Sequence, residues 1–246
     1  LSGSGKGRKR KGIFPSSSFR VGKKPHLCEN RTISMKLRQD FSPSIRNILF
    51  DMGNVLIDLD VKRTLDAFGR LGIGGFDLKD IHPYTTGFFL EYELGNLSSG
   101  AFIRAIREKY DCSRITDEML WDAWNALLLD ADMARFELLE EVGRDYRIFV
   151  LSNTNAEHIE YVKREFRQAS GGREFESYFE KCFYSQDLHL RKPDVRIYRE
   201  AIRQAGIVPE ETLFIDDNAC NLPGALDAGL QTYHLTGGEK IFDLFR

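Results

Sequence analysis

Short apolar runs alternate with helical patterns along most of the chain, from residue 46 to near the C-terminus. Each run is too short for a helix and ends in polar or turn-forming residues, which is typical of a buried strand. Strands that alternate with helices favour a parallel sheet with helices on both faces. The sequence therefore predicts an α/β fold with a doubly wound parallel sheet. The predicted strands are RNILFD, YRIFVLSNTN, KCFYSQDL, ETLFIDDN and LQTYHL.

The interval between the first two predicted strands is long, about 95 residues. Nearly all of it has helical periodicity: SSGAFIRAIREKY begins with a serine suited to an N-cap, and EMLWDAWNALLL has an apolar face. A simple crossover between parallel strands needs only one helix. The interval therefore predicts an inserted helical cap domain over residues 60–130, and the α/β core then consists of residues 41–59 and 131–246.

The composition fits a globular protein in water. Of the 246 residues, 42% are hydrophobic and 29% are charged, and no window approaches 18 consecutive apolar residues, so no membrane span is expected. The cysteines are far apart and form no CxxC pair, which indicates reduced thiols and a cytoplasmic location. The oligomeric state does not follow from the sequence. The four cysteines are Cys28, Cys112, Cys182 and Cys220.

Residues 1–40 differ in composition from the remainder of the chain. They carry 11 Lys and Arg against two acidic residues, whereas the remainder carries 24 against 35. This stretch is rich in Ser and Gly without periodicity, which predicts a disordered basic extension. Its GKGRKRKG run is compatible with a nucleic-acid patch or a transit peptide, but an extension upstream of a native start at Met35, or residues added for expression, is the favoured interpretation. A nucleic-acid partner is not expected.

Polar side chains follow the predicted strands at the edge where parallel strands end. A strand gains no stability by ending on a buried carboxylate unless something binds that carboxylate. Taken singly, each of these residues has an ordinary explanation as a helix cap or a turn former. Ligands of open parallel sheets bind outside the carboxyl ends of the strands, so the residues together indicate a binding site. They are Asp51, Ser152, Asn153, Asp216 and Asp217, with Lys192 in the loop HLRKPDVRIY.

The adjacent acids of FIDDN would repel Asp51 in a partly dry pocket. A hard divalent cation removes that repulsion, and Mg²⁺ prefers a few carboxylates together with water and a phosphate oxygen. With Mg²⁺ present, the hydroxyl, amide and ammonium groups of Ser152, Asn153 and Lys192 suit a phosphate. The residues then predict phosphoryl transfer from a small phosphorylated metabolite.

At this point the sequence resembles the haloacid dehalogenase superfamily of phosphatases. The resemblance covers about residues 46–236 and rests on four motifs in the family's order: FDMGNV, VLSN, RKP and FIDDN. It implies a Rossmann-like core with a helical cap between the first and second motifs. Details such as DMGNVLIDLD, LSNTN and DDNACN are similar to the branch that contains bacterial alpha-D-glucose-1-phosphate phosphatase and, more distantly, to the phosphatase half of soluble epoxide hydrolase.

The resemblance also implies roles for the site residues. Asp51 attacks phosphorus to give an aspartyl-phosphate, which water then hydrolyses. Ser152 and Lys192 hold the phosphate. Asp217 is the expected direct Mg²⁺ ligand, and Asp216 assists directly or through water.

Gly53 is the main departure from the family pattern. Most family phosphatases have a second Asp at this position, where its side chain protonates the leaving alcohol and its backbone carbonyl binds the metal. Gly53 keeps the carbonyl and loses the proton donor. Either another acid supplies the proton, with Asp58 and Asp60 as sequence candidates, or the leaving group needs little help, as for glucose 1-phosphate. Capping of the next helix is the favoured explanation of Asp58 and Asp60.

Three alternatives remain open from the sequence. A 2-haloacid dehalogenase also uses an Asp nucleophile but needs neither a metal nor a second acid, so the acid pair counts against it. A response-regulator receiver has the same groups, but its acid pair comes first in the chain and here it comes last. A non-catalytic binding protein on the same fold, or one that stores the aspartyl-phosphate, is compatible with Gly53.

Overall fold

The structure is a computed structural model that describes residues 35–77 and 87–246. Residues 1–34 of the predicted basic extension lie outside the described residues, and so do residues 78–86 of the predicted cap. The last residues of the extension are described. The backbones of Lys36 and Arg38 hydrogen-bond to those of Arg246 and Leu244, so residues 36–38 lie along the C-terminal segment.

The sheet of the described residues is the predicted one, with five parallel strands. They are β1 (Asn47–Phe50), β2 (Arg147–Ser152), β3 (Lys181–Tyr184), β4 (Thr212–Asp216) and β5 (Gln231–His234). Their order is β3-β2-β1-β4-β5. Ile48 of β1 lies opposite Ile148 of β2 on one side and Leu213 of β4 on the other. The chain therefore changes direction beside β1, which is where ligands bind in sheets of this type.

Nine α-helices lie within the described ranges. Five of them lie between β1 and β2, and the other four lie between later strands of the sheet. They are α1 (Val61–Arg70), α2 (Phe88–Glu93), α3 (Ser99–Tyr110), α4 (Asp117–Asn125), α5 (Met133–Val142), α6 (Ala156–Ala169), α7 (Ser185–Leu188), α8 (Val195–Ala205) and α9 (Leu222–Asp227).

Both faces of the sheet are covered by helices. Successive side chains of a strand point to opposite faces, so Ile48 and Phe50 enter one apolar cluster and Leu49 enters another. The first cluster includes Phe136 of α5, and the second includes Ile197 of α8. All four residues of β1 are buried, as expected for the central strand of a doubly covered sheet.

The first four helices, α1 to α4, enclose an apolar cluster of their own. Phe68, Phe89, Phe102 and Trp124 come from α1, α2, α3 and α4 and are all buried. The rings of Phe102 and Trp124 pack edge to face with centroids 4.9 Å apart, a favoured aromatic geometry. This cluster is separate from the two clusters of the sheet, although the boundaries of the cap at residues 60 and 130 stay a prediction.

The segment KCFYSQDL differs from its predicted strand in its second half. β3 ends at Tyr184, and the chain turns into the short helix α7. Ser185 explains the turn, because its hydroxyl accepts the N–H of Thr154 and lies 2.8 Å from the carbonyl oxygen of Glu93. These partners hold the start of α7 away from the sheet. None of the described helices is both long enough and apolar enough to cross a bilayer.

Candidate active site

A cavity of about 620 Å³ opens at the carboxyl ends of the strands. Because β1 lies between β2 and β4, the residues at the ends of these three strands are neighbours in space. Of the residues predicted for the site, all but one line the cavity; Asp216 is fully buried behind it. The residues that line it are Asp51, Gly53, Ser152, Asn153, Lys192 and Asp217.

Lys192 joins two of the carboxylates. Its Nζ donates to Asp51 Oδ1 and to Asp216 Oδ2, both at 2.7 Å, and its side chain is almost completely buried. Burial alone lowers the pKa of Lys192, but the two carboxylates outweigh it and raise that pKa. Lys192 is therefore a fixed ammonium ion at the floor of the site.

The site holds more negative than positive charge. Asp51, Asp216 and Asp217 each offer a carboxylate oxygen, and these oxygens lie within 4.8 Å of one another. Burial raises the pKa of Asp51 to about 7; Lys192 lowers this pKa, and Asp216 raises it. Burial also raises the pKa of Asp217. The three carboxylates thus fit a divalent cation, which would neutralise the charge that Lys192 leaves uncompensated.

Asp216 and Asp217 differ in their surroundings. The oxygens of Asp216 accept hydrogen bonds from the backbone of Asn218, from the side-chain amide of Asn221 and from Lys192, so its lone pairs are largely occupied. Asp217 lines the cavity and accepts one hydrogen bond from Asn54 Nδ2 at 2.8 Å. Asp217 is therefore the better placed of the two to contact a cation directly.

Asn153 contacts the backbone of Lys192 with both ends of its amide. Its Oδ1 accepts the N–H of Lys192 at 2.8 Å, and its Nδ2 donates to the Lys192 carbonyl at 2.9 Å. The side chain predicted to bind phosphate is thus engaged in positioning Lys192. Ser152 Oγ is 3.5 Å from the carbonyl of Asn153, a weak contact that leaves the hydroxyl able to turn towards a ligand.

The turn after Asp51 shapes one wall of the cavity. Asp51 Oδ1 accepts the N–H of Met52 at 2.7 Å, and Asn54 adopts a left-handed backbone with φ of 54°. Gly53 does not have a left-handed backbone, but a Cβ built on it would lie 2.8 Å from Leu59 Cδ1. The absence of a side chain at Gly53 therefore leaves room for Leu59 rather than satisfying a conformational need.

Asp58 and Asp60 lie outside this cavity. Asp60 is the N-cap of α1 and accepts the N–H of Lys62, as the helix-capping explanation predicts. Asp58 accepts two hydrogen bonds from Arg135 Nη2, at 2.8 and 2.7 Å, and a third from Lys240. Burial raises the pKa of Asp58, but these hydrogen bonds outweigh it and hold that pKa below its ordinary value. Neither residue is placed to protonate a leaving group in the cavity.

Three further cavity residues were not assigned to the site from the sequence. Glu93 comes from α2, Arg191 precedes Lys192, and His158 lies in α6. Glu93 and His158 belong to none of the four motifs, whereas Arg191 is the first residue of RKP. Asn54 contacts Asp217, which lies 163 positions away in the chain, so local patterns carry no signal for that contact.

Comparisons with known proteins identify the family to which the chain belongs. The haloacid dehalogenase-like hydrolase family model matches residues 45–229. D-ribitol-5-phosphate phosphatase of Bacteroides thetaiotaomicron is 30% identical over 196 residues, which are 79% of this chain and 93% of that protein. The (S)-2-haloacid dehalogenase 4A of Burkholderia cepacia is 27% identical over 202 residues, 78% of this chain and 83% of that protein.

Solved structures give the same result. A wild-type haloacid dehalogenase family enzyme from Bacteroides thetaiotaomicron, in complex with magnesium and inorganic phosphate, superposes with a TM-score of 0.73 at 33% identity. The superposition covers 82% of this chain and 100% of that one. The chain described here belongs to the haloacid dehalogenase-like hydrolase family.

Proposed function

We propose that this protein is a Mg²⁺-dependent phosphatase that hydrolyses a small phosphorylated metabolite through an aspartyl-phosphate on Asp51. The observation that carries the proposal is the group of three carboxylates around Lys192. A group with this excess of negative charge suits a divalent cation and a phosphate ester better than it suits a neutral or purely anionic ligand.

The hydrogen bonds of Asp51 support different roles for its two oxygens. Oδ1 accepts hydrogen bonds from Met52 and Lys192, which fixes the carboxylate and leaves Oδ2 to attack phosphorus. The bond between phosphorus and the ester oxygen breaks, and the leaving alcohol takes up a proton. Water then attacks the aspartyl-phosphate and regenerates the carboxylate of Asp51 with release of phosphate.

The other residues act on the phosphoryl group. Lys192 and the hydroxyl of Ser152 hold its oxygens, and Asn153 keeps the backbone of Lys192 in place. Bound Mg²⁺ would be held by Asp51, Asp217 and the carbonyl of Gly53, with Asp216 behind them, and it would supply the positive charge that stabilises the transferring phosphoryl group.

A 2-haloacid dehalogenase is the second candidate, and the B. cepacia relative supports it. That reaction needs a carboxylate nucleophile but no cation. It gives no role to Asp217, whose pKa is raised by burial beside two further carboxylates. The carboxylate group therefore favours the phosphatase.

The substrate class is that of phosphorylated sugars and polyols. Gly53 supplies no proton, so an ester whose alcohol leaves easily, such as glucose 1-phosphate, suits the site. The relative from B. thetaiotaomicron is named for D-ribitol 5-phosphate, in which the phosphate is on a primary alcohol. Rates of phosphate release from both compounds show whether the protein prefers an anomeric ester or an ester of a primary alcohol.

The test is the substitution Asp51→Asn. It keeps the size of the side chain and removes the nucleophile, so kcat for phosphate release is expected to fall by at least about 1,000-fold while circular dichroism shows a folded protein. Asp60→Asn is the matched control, because Asn also caps helices and Asp60 lies outside the cavity. Retention of a tenth of wild-type kcat by Asp51→Asn would overturn the proposal.

A second measurement separates the alternatives. Phosphate release from the sugar-phosphate panel is measured with and without Mg²⁺, alongside halide release from 2-chloropropionate. Phosphate release only with Mg²⁺ is the expected result. Halide release that continues in chelator identifies a dehalogenase, and no turnover of any compound identifies a binding protein.

A further inference from the structure

Glu93 lies in the same cavity as the three carboxylates but belongs to helix α2. Its side chain is 19% exposed, and its Oε1 is 3.0 Å from Nε of Arg191, whose side chain is 14% exposed. Arg191 directly precedes Lys192, so the pair lies next to the floor of the site. Among the described carboxylates that line the cavity, Glu93 alone lies outside the cluster of Asp51 and Asp217.

The stability of the fold does not account for this pair. Partial burial removes water from both charges, and replacing such pairs by apolar residues is often neutral or stabilising. Burial raises the pKa of Glu93 although Arg191 and Lys192 lower it, so the loss of water is incompletely compensated. Glu93 Oε1 accepts no hydrogen bond of good geometry from the described residues. Because Glu93 lines the cavity, a ligand there meets a carboxylate that the described residues leave incompletely hydrogen-bonded.

The backbone around Glu93 is fixed on the core. The carbonyl of Glu93 accepts the hydroxyl of Ser185 at 2.8 Å, and the next carbonyl, of Leu94, accepts Nδ1–H of His189, also at 2.8 Å. Ser185 is fully buried. Two successive carbonyls are thus held by the segment that follows β3, so the Glu93 side chain is held beside the cavity before any ligand arrives.

We propose that the Glu93–Arg191 pair binds hydroxyl groups of the leaving alcohol and selects phosphorylated sugars and polyols over phosphate esters without hydroxyls. The carboxylate accepts a hydrogen bond from one hydroxyl, and the guanidinium donates to the oxygen of a neighbouring one. Because the pair is neutral as a whole, it suits an uncharged polyhydroxy group. This inference rests on the proposed phosphatase function and specifies its substrate class.

The experiment compares two substrates in the wild-type protein and in Glu93→Gln with Mg²⁺ present. Ribitol 5-phosphate carries hydroxyls, and phenyl phosphate carries none. Loss of a hydrogen bond to a charged group is expected to lower the ratio of kcat/KM for ribitol 5-phosphate to that for phenyl phosphate by about tenfold to a hundredfold. The change is expected mainly in KM for ribitol 5-phosphate, because the contact forms in the bound ground state.

Glu91→Gln is the matched control. Glu91 lies two residues earlier in the same helix, is exposed and pairs with Asn96, so its substitution is expected to leave the ratio unchanged. Arg191→Lys keeps the positive charge but loses the planar guanidinium with its several N–H donors. It is expected to lower the ratio less than Glu93→Gln does. Melting temperatures of all variants show whether a change in stability accompanies the change in selectivity.

The outcomes separate this inference from the function on which it rests. If the wild-type protein is active and Glu93→Gln lowers kcat/KM equally for both substrates, the hydroxyl-binding role is overturned. The phosphatase function would then remain in place. A wild-type protein that releases no phosphate from either ester would overturn both. A selective fall in the ratio for Glu93→Gln, absent in Glu91→Gln, establishes the role.

Discussion

Gly53 determines which leaving groups the proposed reaction accepts. It lines the cavity two residues after Asp51 and brings no proton donor. The other acids considered from the sequence are engaged elsewhere, Asp60 as a helix cap and Asp58 with Arg135. The rate is therefore expected to depend steeply on the acidity of the alcohol, because negative charge on the departing oxygen is not relieved by a proton.

The substitution Gly53→Asp tests this dependence. The backbone at Gly53 is not left-handed, and the only close contact of the new Cβ, Leu59 Cδ1, is the end of a flexible side chain, so the variant is expected to fold. Its kcat for glucose 6-phosphate should rise relative to its kcat for phenyl phosphate. A rise of about 100-fold would match the contribution of a general acid. Gly53→Asn, similar in size but unable to supply the proton, is the control. Equal wild-type kcat for glucose 1-phosphate and glucose 6-phosphate would show that another acid already acts.

His158 is a half-buried neutral imidazole. Its Nδ1 accepts from Asn155 Nδ2 at 3.0 Å, so the proton is on Nε2, which donates to the carbonyl of Trp124 at 3.3 Å. The indole of Trp124 stacks on the ring, with centroids 5.1 Å apart. Burial lowers the pKa of His158 from 6.5 to about 4, which the hydrogen bond to Trp124 only partly opposes.

The lowered pKa predicts a loss of stability in acid. Between pH 6.5 and about pH 4 the unfolded chain binds a proton at His158 that the folded chain does not, so the free energy of unfolding falls as the pH falls. At pH 5 the lowered pKa of His158 is expected to reduce the free energy of unfolding by about 2 kcal/mol. Urea unfolding at pH 7 and pH 5 should show a larger fall for the wild-type protein than for His158→Gln. Equal falls would contradict a pKa of His158 that lies below its ordinary value in the folded protein.

Individual residues differ in how far the sequence could assign them. Asp51 and Asp216 were predictable because both end apolar strands, and parallel strands bring their ends together. Asn153 was placed in the site, but its contact with the backbone of Lys192 depends on a loop 39 positions away. Glu93 enters the cavity from a helix whose packing no local pattern specifies.

At the scale of elements, helix α2 is joined to α7 by a close backbone approach. Gly95 follows α2 with φ of 69°, and a Cβ built on it would overlap the carbonyl oxygen of Gln186 in α7. The neighbouring carbonyls of Glu93 and Leu94 are bound by Ser185 and His189. These contacts hold α2 against the segment that follows β3, beside the cavity.

Gly95→Ala is therefore expected to damage both stability and activity. Any side chain at this φ lowers the free energy of unfolding by roughly 1 kcal/mol. The overlap with the backbone of Gln186 is expected to lower it by at least about 1 kcal/mol more. Gly72→Ala is the matched control, because Gly72 has φ of 78° but no neighbour within 4 Å of its Cβ. Denaturant unfolding should show the larger loss for Gly95→Ala. Equal losses would mean that the two elements separate freely.

Elements were predicted more successfully than their ends. All five strands were predicted. The three inner strands β1, β2 and β4 have strong apolar runs, because burial on both faces requires continuous apolar sequence. The helix α7 was missed, since its first turn is stabilised by Ser185 through contacts with Thr154 and Glu93 rather than by its own sequence. Tertiary contacts of this kind override local preference.

At the scale of the whole molecule, the cation is expected to stabilise the fold. A ligand that binds only the folded chain at 100 times its Kd adds about 2.7 kcal/mol, which corresponds to a rise in Tm of roughly 5 to 10 °C for a chain of this size. Addition of Mg²⁺ after EDTA treatment should produce this rise and restore phosphate release. KCl at the same ionic strength is the control, and Asp217→Asn should reduce the effect of Mg²⁺. Full turnover in EDTA would contradict a metal-dependent reaction.

The central position of β1 has a consequence for synthesis on the ribosome. Its two neighbours in the sheet are made late, since β2 begins about 100 residues after the start of β1 and β4 about 165 residues after it. Helices α1 to α4 have their own apolar cluster and can pack while the first strand still lacks partners. Closing such long loops is slow and leaves apolar sequence exposed to chaperones in the meantime. Asp51 is thus translated long before Asp216 and Asp217, yet its surroundings are complete only after those two residues have emerged.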